Sequence, residues 1–195
     1  AKGAALSRMV DLHLVGHVRG GRNEEWLSFE ARERIRAGFG FLWQARVEGV
    51  GRFPLDGADY YLDGEGRSEY FFSGLLPVSR QRGSEVTRSA AGHLLIESIW
   101  VPATLLPSKG ARWSAGDDDQ AMVSIAGHPD KSALNITVAE NGALKQVSMM
   151  RHQMGGGHSG LASFGYRVEE ECTYGGYTIP GRIIGSWHVG TDDAY

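Results

Sequence analysis

Hydrophobic and polar residues alternate along most of the chain, and short glycine-rich breaks separate the alternating runs. A period of two sends successive side chains to opposite faces, so the pattern predicts half-buried β-strands. Strands are expected near residues 8–19, 25–35, 39–49, 57–63 and 66–76, and again near 111–116, 120–127, 132–139, 143–150, 161–173 and 177–189. Two connections supply residues tolerant of positive φ. Asp63-Gly64-Glu65-Gly66 lies between DYYL and RSEYFF, and Glu140-Asn141-Gly142 between LNITVA and ALKQVS. Turns this tight join antiparallel neighbours, which argues against parallel βαβ winding. The stretch from Gly155 to Gly160 reads as a long hairpin connection in preference to a mobile loop over an opening.

One segment departs from the period of two. From Ser84 to Trp100, Val86, Ala90, Leu94 and Val101 approximate a helical stripe that Leu95 and Ile99 widen. Ser84 stands ready as an N-cap and Pro102 follows the far end. Gly92 weakens such a helix by about 1 kcal/mol. A lone helix among strands must bury its stripe, most simply against a curved sheet. The expected fold is mainly β: a curved antiparallel sheet or half-open barrel of about ten to eleven strands, with one helix at 84–100 packed on or in it. A single barrel-like domain over residues 1–195 is expected.

Composition narrows the function classes. A chain of 195 residues buries a core without staples, and the single cysteine, Cys172, excludes an internal disulfide framework and any CxxC motif. The formal net charge is −3 and no block of Lys or Arg stands out, which argues against nucleic-acid binding. No run approaches the roughly 18 apolar residues that span a bilayer, and the start has no apolar signal-peptide core. A cytoplasmic location is therefore expected, with the chain a monomer or homodimer.

The motifs of metal and nucleophilic chemistry are missing. Asp11, His13 and His17 share a strand face, but histidines four residues apart on a strand stand roughly 13 Å apart, too far to hold one ion. His93, His128, His152, His158 and His188 show no HExxH spacing, and there is no G-x-S-x-G elbow. Gly155-Gly156-Gly157 is not followed by Lys-Ser/Thr, so it is no phosphate cradle. Cys172 follows Glu169, Glu170 and Glu171, which raise a thiol pKa, and it reads as a packed strand residue. No metal and no cofactor is expected.

Carboxylates and aromatics offer more. Strict alternation puts Glu170 on the face of Tyr166, Val168 and Cys172, where an inward acid would hold a raised pKa. Pairing with Arg182 on the next strand is the favoured, structural reading. Glu97 lies one turn after His93 among Leu94, Leu95, Ile96, Ile99 and Trp100, where a capping role is favoured over chemistry. Asp117-Asp118-Asp119 reads as an acidic turn, since no EF-hand spacing follows. Phe39, Phe41 and Trp43, then Tyr70 and Phe72, then Tyr177 and Trp187, fall at alternating positions. Ordinary core is their default role, and the walls of a cavity for an apolar ligand are the alternative.

Several longer stretches carry a resemblance. They are Trp26-x-x-Phe29, Gly40-Phe41-Leu42-Trp43-x-Ala45-Arg46-Val47, Tyr61-Leu62-Asp63-Gly64-Glu65-Gly66 and Glu97-Ser98-Ile99-Trp100-Val101-Pro102. Trp113 to Asp119 and Val168-Glu169-Glu170-Glu171 through Gly175-Gly176-Tyr177-Thr178-Ile179-Pro180 complete the set. Together they resemble a bacterial, notably actinobacterial, family of unknown function whose relatives often carry an N-terminal membrane anchor. The resemblance implies a curved sheet closing over a helix, similar to lipoprotein-carrier half-barrels, and brings no established activity. Trp187-His188-Val189 departs from the aromatic pairs such relatives show there.

Three functional readings are open. The first is a cofactor-free enzyme that folds a hydrophobic, polyketide-like substrate for cyclisation or isomerisation, using Glu170, Glu97, His188 and Tyr177 as acid–base and orienting groups. Its ligand would meet Trp43, Phe41, Tyr70, Phe72, Trp100, Arg182 and Trp187. The second is a carrier or sensor that binds a lipid or hydrophobic metabolite unchanged. The third is a module that binds another protein.

Overall fold

A computed structural model describes residues 7–49, 53–117, 119–155, 158–192 and 194. Among these it places twelve strands in two six-stranded antiparallel sheets, and neither sheet closes on itself. The first is a meander of β1 (Met9–Val18), β2 (Leu27–Arg36), β3 (Gly40–Val47), β4 (Leu55–Leu62), β5 (Glu65–Phe72) and β6 (Leu76–Arg82). Helix α1 (Ser84–Ile96) comes next, then short 3-10 turns at Glu97–Trp100, Pro102–Leu105 and Pro107–Lys109. The second sheet is another meander, of β7 (Ala111–Ala115), β8 (Gln120–Ile125), β9 (Leu134–Val138), β10 (Leu144–Gly155), β11 (His158–Tyr174) and β12 (Tyr177–Trp187).

The strand count exceeds the expected ten to eleven because β6 is not legible as a separate strand. Its sequence, LPVSRQR, carries Pro77 and two arginines. Proline and charge in a strand are tolerated at a sheet edge, where one side of the backbone needs no partner, and β6 is that edge. The helix appears where expected, but its cap lies one residue earlier. The Thr87 amide donates to the carbonyl of Gly83, which sits at φ 110°, so Ser84 is already the first helical residue. Both specified turns form, with Asp63 and Gly64 at φ 51° and 85° and Gly142 at φ 83°. Gly156 and Gly157 of the glycine-rich connection lie outside the described residues, as does Asp118 of the acidic turn.

The chain divides into two compact units. The first comprises Met9–Leu94 and His152–Gly160, and the second Ala1–Arg8, Leu95–Arg151 and Leu161–Tyr195. In the first unit, α1 rests on one end of the sheet, over the cross-strand row Ile35, Phe41, Tyr61 and Gly66. Gly66 makes this approach possible: a Cβ there would stand 2.7 Å from the Cβ of Ala90 and 2.8 Å from the carbonyl oxygen of Val86. The Gly66 amide donates to Thr87 Oγ1 at 3.1 Å, and the His93 ring lies 4.5 Å from that of Phe41. The opposite face of the sheet is charged and wet. Arg34 pairs with Asp11 at 2.6 Å, His13 with Glu30 at 2.8 Å, and Arg46 reaches Glu48 and Asp56.

The second unit is sealed. Val123, Leu134, Val147 and Met149 are all but inaccessible, together with Leu95, Ile96 and Val101. Trp100 Nε1 donates to the Pro180 carbonyl at 3.0 Å and its ring meets Tyr166 edge-on at 5.4 Å. Glu97 is buried in this packing and accepts a 2.6 Å hydrogen bond from the Tyr166 hydroxyl.

Candidate functional site

The helix-bearing face of the first sheet holds the best-assembled group of polar and aromatic side chains outside a filled core. Strand register places them in rows. Beside the row covered by α1 runs Leu12, Glu33, Trp43, Asp59 and Ser68. Next come Leu14, Ala31, Ala45, Gly57 and Tyr70, then Gly16, Phe29, Val47, Leu55 and Phe72. Trp43, Leu55, Tyr70 and Phe72 are half-buried, unlike the sealed Ile35 and Phe41 beneath the helix. Phe29 and Trp43 form a tilted aromatic pair with centroids 6.2 Å apart.

Tyr70 organises the polar part of this face. Its ring lies across Gly57 on the neighbouring strand, where a Cβ would stand 2.1 Å from Cδ1 of the ring. Glycine opposite an aromatic lets the ring lie flat on the sheet. From there the hydroxyl reaches diagonally to donate to Asp59 Oδ2 at 2.9 Å. Burial, reinforced by the Asp59 charge, drives the Tyr70 pKa far upward, so the phenol remains a protonated donor. Glu33, only 4% exposed, completes the row, with a carboxylate oxygen within 4.8 Å of a His93 ring nitrogen.

Four of the residues expected to meet a ligand, Phe41, Trp43, Tyr70 and Phe72, thus share one face, with Phe41 lying under the helix. The other three belong to the second unit. Trp100 is buried core, Arg182 is exposed, and Trp187 stacks near Phe164 at 4.8 Å with the Arg151 guanidinium over both rings.

The four acid–base candidates do not converge. Glu170 is exposed, and the inward position expected from strict alternation is corrected by two register shifts that flank it in the β11–β12 ladder. An extra residue in one strand rotates the residues beyond it and breaks the parity rule. Glu170 and Arg182 are cross-strand neighbours, both exposed. Its neighbour Glu171 turns to accept the Leu144 amide at 3.2 Å. Tyr177 begins β12, where its hydroxyl accepts the Ser7 amide, while His188 stands just past the far end at φ 56° and donates its amide to the Ser163 carbonyl. A strand of eleven residues separates the two by roughly 35 Å. Glu97 is tied to Tyr166.

Sequence reasoning passed over Asp59, Glu33, Phe29 and Leu55. The signal for Asp59 was present: the Asp63-Gly64 turn fixes the β4–β5 register and pairs Asp59 with Ser68, placing it on the face of Tyr70 and Tyr61.

The chain is thus a mainly β protein of two six-stranded meanders, one carrying a helix and a partly open aromatic face. It belongs to a family of unknown function, DUF6544, whose sequence profile matches residues 1–195. No curated protein and no solved structure matches the chain. Among the described residues, no helix is long and apolar enough to cross a membrane.

Proposed function

We propose that the protein binds a hydrophobic small molecule on the helix-bearing face of its first sheet and releases it unchanged, as a carrier or sensor. One observation carries this reading: Trp43, Tyr70 and Phe72 sit half-buried on a single face beside Phe29 and Leu55, with the Tyr70–Asp59 pair set among them. An apolar surface with a few oriented polar groups is the usual make-up of a small-molecule site. Cyclisation or isomerisation of a polyketide-like substrate draws less support, because its four acid–base candidates are spread over the second unit.

The neutral fluorophore N-phenyl-1-naphthylamine tests the proposal. The full chain should bind it saturably near one equivalent, and Phe72→Glu should abolish binding while the circular dichroism spectrum stays unchanged. Absence of saturable binding, or equal binding by a folded Phe72→Glu variant, overturns it.

A further inference from the structure

We infer that the ligand of this face is an amphiphile with a single cationic nitrogen, an ammonium head seated on Trp43 beside Asp59 and an apolar tail on Phe29, Leu55 and Phe72. The inference rests on the proposed binding function and adds the chemistry of the head group.

Charge separates cleanly between the two faces of the first sheet. Arg32, Arg34 and Arg36 of β2, Arg46 of β3 and Arg67 of β5 all alternate onto the face opposite the helix, and no lysine occurs between Met9 and Leu94. On β1 to β5 the helix-bearing face carries Glu33 and Asp59 and neither Lys nor Arg. Of these two acids Glu33 is buried near the His93 ring, and Asp59, half-buried, accepts from Tyr70. A hydrogen bond from a neutral phenol leaves the Asp59 charge in place and a second oxygen to receive a ligand.

The spacing suits a cation. Trp43 and Asp59 are directly paired on adjacent strands, so the indole and the carboxylate stand side by side on one face. A cation over an indole face gains from the ring quadrupole, more so when partly desolvated, and a neighbouring carboxylate adds to it. An anionic head in the same place meets the Asp59 carboxylate, and no guanidinium of β1 to β5 shares that face. The apolar row Phe29, Val47, Leu55 and Phe72 lies two rows further along the same face, roughly 13 Å away and within reach of a ten-carbon chain.

Calorimetry with three ten-carbon probes, decyltrimethylammonium, decanol and decanoate, tests the inference on the full chain. The cation should bind about tenfold more tightly than the anion, with the alcohol between them. Asp59→Asn and Trp43→Leu should each shrink that preference to about twofold, whereas Glu30→Gln, the same charge change on the opposite face, should leave it intact. Should Asp59→Asn fail to fold, Trp43→Leu alone decides. Equal binding of cation and anion overturns the head-group assignment, as does a preference untouched by Asp59→Asn and Trp43→Leu. In both cases naphthylamine binding still stands for the site itself. Loss of all four ligands would bring down the binding function together with this inference.

Discussion

The two units are built from the same device, a six-stranded antiparallel meander, and use it in opposite ways. The second unit closes its interior: Val123, Leu134 and Val147 are wholly buried, and the acid packed among such residues, Glu97, is held by Tyr166. The first closes only the end of its sheet beneath α1. Beyond Ile35 and Phe41 its rows mix the buried Ala31, Glu33, Ala45 and Val47 with the half-buried Trp43, Leu55, Asp59, Tyr70 and Phe72. Sealed packing serves stability, whereas a partly open apolar face forgoes some of the burial energy that a folded domain has to spare. Identical topology therefore says little about role. The difference lies in which rows are filled.

Paired truncations probe this contrast most strongly. Leu134→Ala removes a side chain with no exposure and leaves a cavity, and should cost about 3 kcal/mol in urea unfolding. Leu55→Ala, on the half-open face, should cost about 1 kcal/mol, since its side chain is only partly withdrawn from water. Similar losses at both sites would mean that the two faces are equally packed, and the contrast would fail.

A smaller effect is expected at the buried acid of the sealed interior. Tyr166→Phe keeps the ring against Trp100 and removes only the hydroxyl that donates to Glu97 at 2.6 Å. Losing a donor to a buried acid should cost about 2 kcal/mol. The corresponding change on the open face, Tyr70→Phe, leaves Asp59 accessible to water and should cost under about 1 kcal/mol. Equal losses from the two substitutions would place Asp59 in as closed a setting as Glu97.

Much of this fold was legible because it rests on local rules. Strand alternation gave eleven of the segments, and the Asp63-Gly64 and Asn141-Gly142 turns gave the pairing of their neighbours. The failures have physical causes. In β6, Pro77 hides an edge strand whose partner on one side is simply absent from the sheet. Parity misplaced Glu170 because a bulge is set by a strand pair and leaves little mark in either strand alone. The aromatic part of the site was readable from Phe41, Trp43, Tyr70 and Phe72. Asp59 and Glu33 were not picked out, because a row across three strands appears only once every register is known.

The last and smallest effect concerns pH, and it again separates the units. In the second unit His128 is 2% exposed, and its Nδ1 accepts the Asp130 amide at 3.1 Å. Burial holds its pKa below the ordinary value of 6.5; contact with Asp130 opposes this and the nearby Lys131 charge assists it. A histidine depressed in the folded state is neutral in both states above about pH 6.5, and there its contribution to stability is complete. As pH falls through that value the unfolded chain takes up the proton first, so stability is lost towards the lower folded pKa. The exposed Asp11–Arg34 pair of the first unit acts in another window. Hydrogen bonding to Arg34 lowers the Asp11 pKa from 3.8, so whatever that pair contributes persists until the pH drops below about 4. Urea midpoints compared at pH 7 and pH 5 therefore isolate the histidine. The midpoint should fall between them in the native chain and fall less in His128→Gln, whose amide does not titrate. A decline of the same size in both proteins would show that the ring is not buried as a neutral acceptor, and the second unit would lose its claim to a sealed interior at that loop.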